Sequence, residues 1–198
     1  APVRPDADVL RFEPPADAAG RLEQVAAWIW SNDAAASPPG EKLTFRRTFD
    51  LPADVVHAVV FCAADNEATV FVNGKPAARC ADWTKPVMER ATTLVRKGRN
   101  ELLVAAANGS AGGPAALLLE LHARLADGST RVIASDGAWE WTAVVPNAKG
   151  QFKKGDEPTD WKPAVVVTPQ GTWDACRPAF ARELIHAVAP DTLPMVRA

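Results

Sequence analysis

Leu117-Leu118-Leu119-Glu120-Leu121-His122-Ala123-Arg124-Leu125 is the stretch on which the fold turns. Apolar side chains hold every odd position, and Glu120, His122 and Arg124 interrupt the even ones. A two-residue period puts odd and even positions on opposite faces, so this reads as a β-strand with Leu117, Leu119 and Leu121 turned into a core. Working downstream, Asp127-Gly128 turns the chain into residues 130–135, and Asp136-Gly137 turns those into 138–143. Upstream, residues 101–108 form another strand, set off by the turn Lys97-Gly98-Arg99-Asn100. Further back, Leu43, Phe45, Arg47 and Phe49 alternate with Thr44, Arg46, Thr48 and Asp50, and 55–64 is almost wholly apolar. Residues 68–73 and 75–80 flank Asn73-Gly74, whose residues tolerate the positive φ that a type I′ hairpin needs. Residues 87–95 suit a strand or a helix, and 163–168 read as a last strand. Eight or so short strands joined by turns, with no βαβ alternation, predict an all-β antiparallel sandwich or barrel.

The flanks read differently. Residues 1–26 form an N-terminal extension with a short helix expected over 17–27. Residues 176–198 form a C-terminal helix or linker. Its helix is expected over 178–189, with Pro178 in the first turn and Phe180, Leu184, Ile185 and Val188 on one apolar face. The sandwich itself is assigned to 27–175.

A chain of 198 residues, 47% hydrophobic and 23% charged, can bury one full core. With a net charge of −2 and no run of more than two basic residues, no nucleic-acid partner is expected. No apolar run reaches the roughly 18 residues of a membrane span. The start at Ala1-Pro2, without Met, suggests a processed chain or an excised piece. Cys62, Cys80 and Cys176 show no C-x-x-C spacing for zinc or redox work. Counting registers about the turns at 65–67 and 73–74 sets Cys62 and Cys80 on either side of one strand, ~9–10 Å apart. A disulfide needs Cα atoms within about 7 Å, so no Cys62–Cys80 bridge is expected unless the chain leaves the sheet.

Several motifs carry a family resemblance. Trp28-Ile29-Trp30 followed by Phe45-Arg46-Arg47-Thr48-Phe49 resembles the opening of galactose-binding-like jelly-roll domains. Ala64-Asp65-Asn66 with Val70-Phe71-Val72-Asn73-Gly74-Lys75 resembles their central hairpin. Gly98-Arg99-Asn100-Glu101-Leu102-Leu103-Val104, ending in Asn108, resembles a further strand motif. Asp136-Gly137-Ala138-Trp139 and Asp160-Trp161-Lys162-Pro163-Ala164 extend the resemblance over about 27–173. Such domains accompany α-L-rhamnosidases and glycoside hydrolase family 2 enzymes, and recur in large exported proteins of planctomycete-type bacteria. The resemblance implies a galactose-binding-like sandwich, exported (periplasmic, cell-surface or secreted) within a larger multidomain protein, with a glycan as partner.

If successive strands reverse direction, Asp65, Asn66, Glu67, Asp82, Trp83, Lys85 and Asn108 fall on one rim. Asp65, Asn66, Trp83, Lys85 and Asn108 are the candidate ligand-binding residues: polar groups for sugar hydroxyls and an indole for a sugar's C–H face. The competing reading has Trp83 packing over the sandwich end and Asp65 and Asn66 bonding their own turn. No cofactor is expected beyond a possible structural calcium ion, held by the hard oxygens of Asp65, Glu67 and Asp82. Seven tryptophans and no tyrosine are unusual, and core packing suits most of them. His57, His122 and His186 are scattered, no G-x-S-x-G elbow is present, and no catalytic residue is assigned. The expectation is a non-catalytic carbohydrate-binding module, with a structural or partner-docking sandwich as the alternative.

Overall fold

A computed structural model describes residues 26–32, 37–109, 111–171 and 173–176. It is an antiparallel sandwich of two six-stranded sheets. The first sheet runs β12 (Val165–Val166), β1 (Ile29–Trp30), β8 (Ala116–Leu125), β3 (Val55–Asp65), β6 (Val87–Arg90), and β9 (Thr130–Ala134) also pairs with β8. The second runs β11 (Lys162–Pro163), β10 (Glu140–Thr142), β2 (Lys42–Leu51), β7 (Gly98–Ala107), β4 (Glu67–Val72), β5 (Lys75–Cys80). The described residues contain no α-helix, and the expected helices over 17–27 and 178–189 lie almost wholly outside them; Ala26 and Ala27 are not helical.

The alternation of β8 sets the core. Leu117, Leu119 and Leu121 are fully buried and pair with Ala64, Cys62 and Val60 of β3. They join one cluster with Phe45, Val70, Leu102 and Val104 of the opposite sheet. Each buried leucine contributes about 1.5–3 kcal/mol. The even face of β8 is buried as well: Leu118, Glu120 and His122 are at most 4% exposed. Burial of the two polar residues is tolerable because they serve each other. His122 Nε2 lies 2.6 Å from Glu120 Oε2, and Glu120 Oε1 accepts the main-chain N–H of Ala26 at 2.9 Å.

Asn73 and Gly74 make the two-residue hairpin turn between β4 and β5, with φ of 51° and 73°. Residues 87–95 resolve into the short strand β6, then a turn in which Val95 N–H donates to Ala91 O. The single strand expected at 163–168 is instead split. Lys162–Pro163 pairs with β10 in one sheet and Val165–Val166 with β1 in the other, so the chain crosses the sandwich edge at Ala164. The loop of 146–158 folds back over the outer face of the second sheet. There Gly150 lies so close to Phe71 that a Cβ would stand 2.5 Å from the ring.

The register counted across residues 65–67 does not exist in the fold. β3 and β4 are not hydrogen-bonded neighbours, because the chain crosses from one sheet to the other at Asn66. Cys62 and Cys80 therefore sit in opposite sheets, both buried and both free thiols. Burial pushes the Cys62 thiol well up from its ordinary range, and the nearby Cys80 adds to this.

Candidate ligand-binding rim

Antiparallel pairing of β3 with β6 and β8, and of β4 with β5 and β7, brings the ends of β3, β5 and β7 to one end of the sandwich. Asp65, Asn66, Glu67, the 81–86 loop, Asn108 and Gly109 all lie there. Asp65 closes β3 and Glu67 opens β4, so Asn66 alone makes the sheet crossing.

Asp65 and Asn66 do not merely bond their own turn. Asp65 Oδ2 accepts the indole N–H of Trp173 at 2.8 Å. Asn66 Oδ1 accepts the main-chain N–H of Gly109, and its own N–H donates to Ala107 O at 3.2 Å. Both side chains are half-buried. Burial raises the Asp65 carboxyl above its usual range. The indole N–H of Trp173 and the Asn66 amide pull it back, and the charge of Asp82 pushes it up again. Asp82 itself is lowered, chiefly by the hydroxyl and N–H of Thr84, which donate to its Oδ1 at 2.6 and 2.9 Å.

The other candidates divide. Trp83 is half-buried and packs against the core from the 81–86 loop. Lys85 is exposed, with its ammonium 3.4 Å from Asp82. Asn108 is only 5% exposed, and its side chain is used up within the protein. Its amide donates to Ser37 O and Pro38 O at 3.2 Å and to Gly113 O at 3.3 Å, while its oxygen accepts Gly109 N–H. It braces the loops beneath the rim instead of facing a ligand. Asp65, Glu67 and Asp82 do not converge as a calcium triad: Glu67 turns toward Arg79, 3.6 Å away. Among the described residues, no three His, Cys, Asp or Glu side chains gather closely enough to hold a metal ion.

Sequence reasoning missed Trp173. It opens a short 3-10 turn, Trp173–Cys176, that lies against the rim. Trp173 stacks on Trp28 with ring centres 5.1 Å apart, and Trp28 Nε1 donates to Asp174 Oδ1 at 3.1 Å. The available signal was an isolated tryptophan in a polar stretch, Gln170-Gly171-Thr172-Trp173-Asp174.

Two antiparallel sheets packed face to face, with loops gathered at one end, form a β-sandwich, the architecture of the galactose-binding-like domains that the sequence motifs resemble. The comparisons with known proteins bear this out. Over 173 residues, 81% of the chain, it is 33% identical to an α-L-rhamnosidase of Streptomyces avermitilis, and spans 16% of that protein's length. The crystal structure of that enzyme complexed with L-rhamnose matches 71% of the chain at a TM-score of 0.61, using 14% of the enzyme. A GH78 family rhamnosidase of a Bacillus species is 25% identical over 75% of the chain, using 19% of that enzyme, at a TM-score of 0.57. A Pleurotus ostreatus lectin, solved in complex with GalNAc, shares the fold at 21% identity and a TM-score of 0.61, over 71% of this chain and 42% of the lectin. No family model matches the chain.

Proposed function

We propose that this chain is a non-catalytic carbohydrate-binding module of a larger exported protein, with its sugar held at the rim by Asp65 and Asn66. Trp83 supplies the apolar face beside them, and Lys85 the outer polar flank. The observation that carries this reading is the anchoring of Asp65 and Asn66. Two adjacent polar side chains at a loop-lined end are each fixed by a group from another part of the chain, Trp173 and Gly109. Preorganised polar groups beside an indole suit a sugar's alternating hydroxyl and C–H surface. L-Rhamnose is the first ligand to test, because it is bound to the Streptomyces enzyme of which this chain resembles one part. That part is about one-seventh of the enzyme, in keeping with a module that binds without cleaving. Calcium is tested alongside the sugar, because Asp65, Glu67 and Asp82 offer hard oxygens at the same end of the sandwich.

Calorimetric titration with L-rhamnose and a panel of neutral sugars, with and without calcium, is the test. Each hydrogen bond to a sugar replaces one to water, so the expected Kd is roughly 10 μM to 1 mM, about −4 to −7 kcal/mol. Trp83→Ala should weaken binding at least about tenfold while the fold survives. A broad glycan screen without a hit would select the other reading, a structural or partner-docking sandwich. One observation favours that reading: Trp28, Trp30, Trp139 and Trp173 are all buried, and Trp173 bonds a rim carboxylate.

A further inference from the structure

We propose that Trp173 is a positioning residue of the rim: its indole N–H pins the Asp65 carboxylate in the one orientation that presents Asp65 and Asn66 together to a sugar. The proposal rests on the reading of the rim as a sugar site and adds to it a residue from a segment outside the loops that build it.

Two long-range hydrogen bonds support it. Trp173 Nε1 donates to Asp65 Oδ2 at 2.8 Å across 108 residues of sequence. The Asn66 amide follows Asp65 directly and favours its ionised carboxylate. Asn66 Oδ1 in turn accepts the N–H of Gly109. Asp65 and its neighbour Asn66 are thus each held by a group distant in sequence, and the oxygen of the Asn66 amide is identified by the N–H it accepts. Trp173 is itself immobilised, 3% exposed, by its stack on Trp28. An isolated surface aspartate samples several rotamers and must lose that freedom on binding. A carboxylate already held by a buried indole loses less, and the difference appears as affinity.

The ring and the N–H can be separated. Trp173→Phe keeps an aromatic ring against Trp28 and removes only the donor to Asp65. The charged groups around Asp65 are Asp82 with its partner Lys85 on the 81–86 loop, Glu67 with Arg79 on β4 and β5, and Asp174 beside Trp173. None of these changes in the variant, so a shift in the Asp65 titration reports the lost donor.

The experiment has two readouts on the full chain. Carbon-detected NMR follows the Asp65 carboxyl through a pH titration, and calorimetry measures L-rhamnose affinity at pH 7. Trp173→Phe should raise the Asp65 midpoint, since the ionised form loses a donor, and should weaken L-rhamnose about tenfold, as for a hydrogen bond to a charged group. An unchanged Asp65 midpoint overturns the proposal. So does an L-rhamnose affinity within twofold of the unmodified protein. Should Trp173→Phe fail to fold, the unmodified protein still decides. The Trp173 indole proton must shift with the same midpoint as Asp65, and an indole resonance indifferent to that titration overturns the contact. A protein that binds no sugar at all while its indole follows Asp65 sinks the sugar reading alone.

Discussion

Gly109→Ala tests whether the Asn66 amide takes part in binding a sugar, apart from its part in the fold. A Cβ at Gly109 would stand 2.7 Å from Oδ1 and 3.3 Å from Cγ of Asn66. Comfortable contact begins near 3.5 Å, so the Asn66 amide must retreat by roughly half an ångström or more. It can do so, since the crowded atoms are the end of a side chain and no main chain stands in the way. The retreat stretches or breaks the hydrogen bond from Gly109 N–H, a loss of about 0.5–1.5 kcal/mol. Gly109 does not occupy the left-handed region, so alanine there returns about 0.4–1 kcal/mol through the unfolded state. The net stability change in a urea melt should be no more than about 1 kcal/mol. Binding is expected to suffer more. If Asn66 contacts the sugar, misplacing its amide should weaken L-rhamnose about tenfold, or ~1.4 kcal/mol. Gly137→Ala is the control, because its nearest neighbour, Val166 Cγ2, is 3.8 Å away. Affinity within twofold of the unmodified protein would remove Asn66 from the site. A stability loss above about 3 kcal/mol would show that the rim backbone, and not only the amide, had to move.

Other expectations follow from the core, the hairpin and the rim carboxylate. Leu119→Ala should cost about 2–5 kcal/mol in denaturant melts, as a fully buried leucine between two sheets; a loss below about 1 kcal/mol would mean that the core lies elsewhere. Gly74→Val forces a β-branched residue to a φ of 73° and should destabilise by at least about 1–2 kcal/mol, with an unchanged melt counting against the turn. The Asp65 carboxyl is raised in the folded state, so between its unfolded and folded values the native protein holds more protons and stability declines as pH rises. Asp65→Asn should flatten that slope. Sugar binding that needs the carboxylate should fall off on acidification at a higher pH than for an ordinary aspartate, and a pH-independent affinity would exclude Asp65 from contact with the ligand.

The sandwich was legible because alternation is a local property. From Leu117 to Leu125 it marks the strand and its inward face with no knowledge of the partner strands. The same pattern could not show that Glu120 and His122 are buried too, because that depends on what lies over the outer face, including the main chain of Ala26. Turn chemistry located Asn73-Gly74 for the same local reason. Counting registers across residues 65–67 failed, because a hairpin was assumed where a single residue carries the chain between sheets. The rim was half legible. Counting strand directions brought Asp65, Asn66 and Trp83 to one end. That the Asn108 side chain braces loops beneath the rim is decided by carbonyls up to 71 residues away. Trp173 lies further still from its partner and carries no periodic signal.

The pairing of β1 with β12 has a mechanical side. Ile29 lies opposite Val166, and Val167 N–H donates to Trp28 O at 2.9 Å, so the sandwich begins and closes at one corner. Tension applied to the chain before Trp28 and after Val167 acts on two adjacent antiparallel strands from the same end. The ladder then opens like a zipper, one rung at a time, where shear would strain all rungs together. Only two residues of each strand hold the seam, so this corner is the weak link under traction. Because Trp173 is seated on Trp28, parting that seam would pull the indole from Asp65, so the rim would be disturbed before the sandwich unravelled.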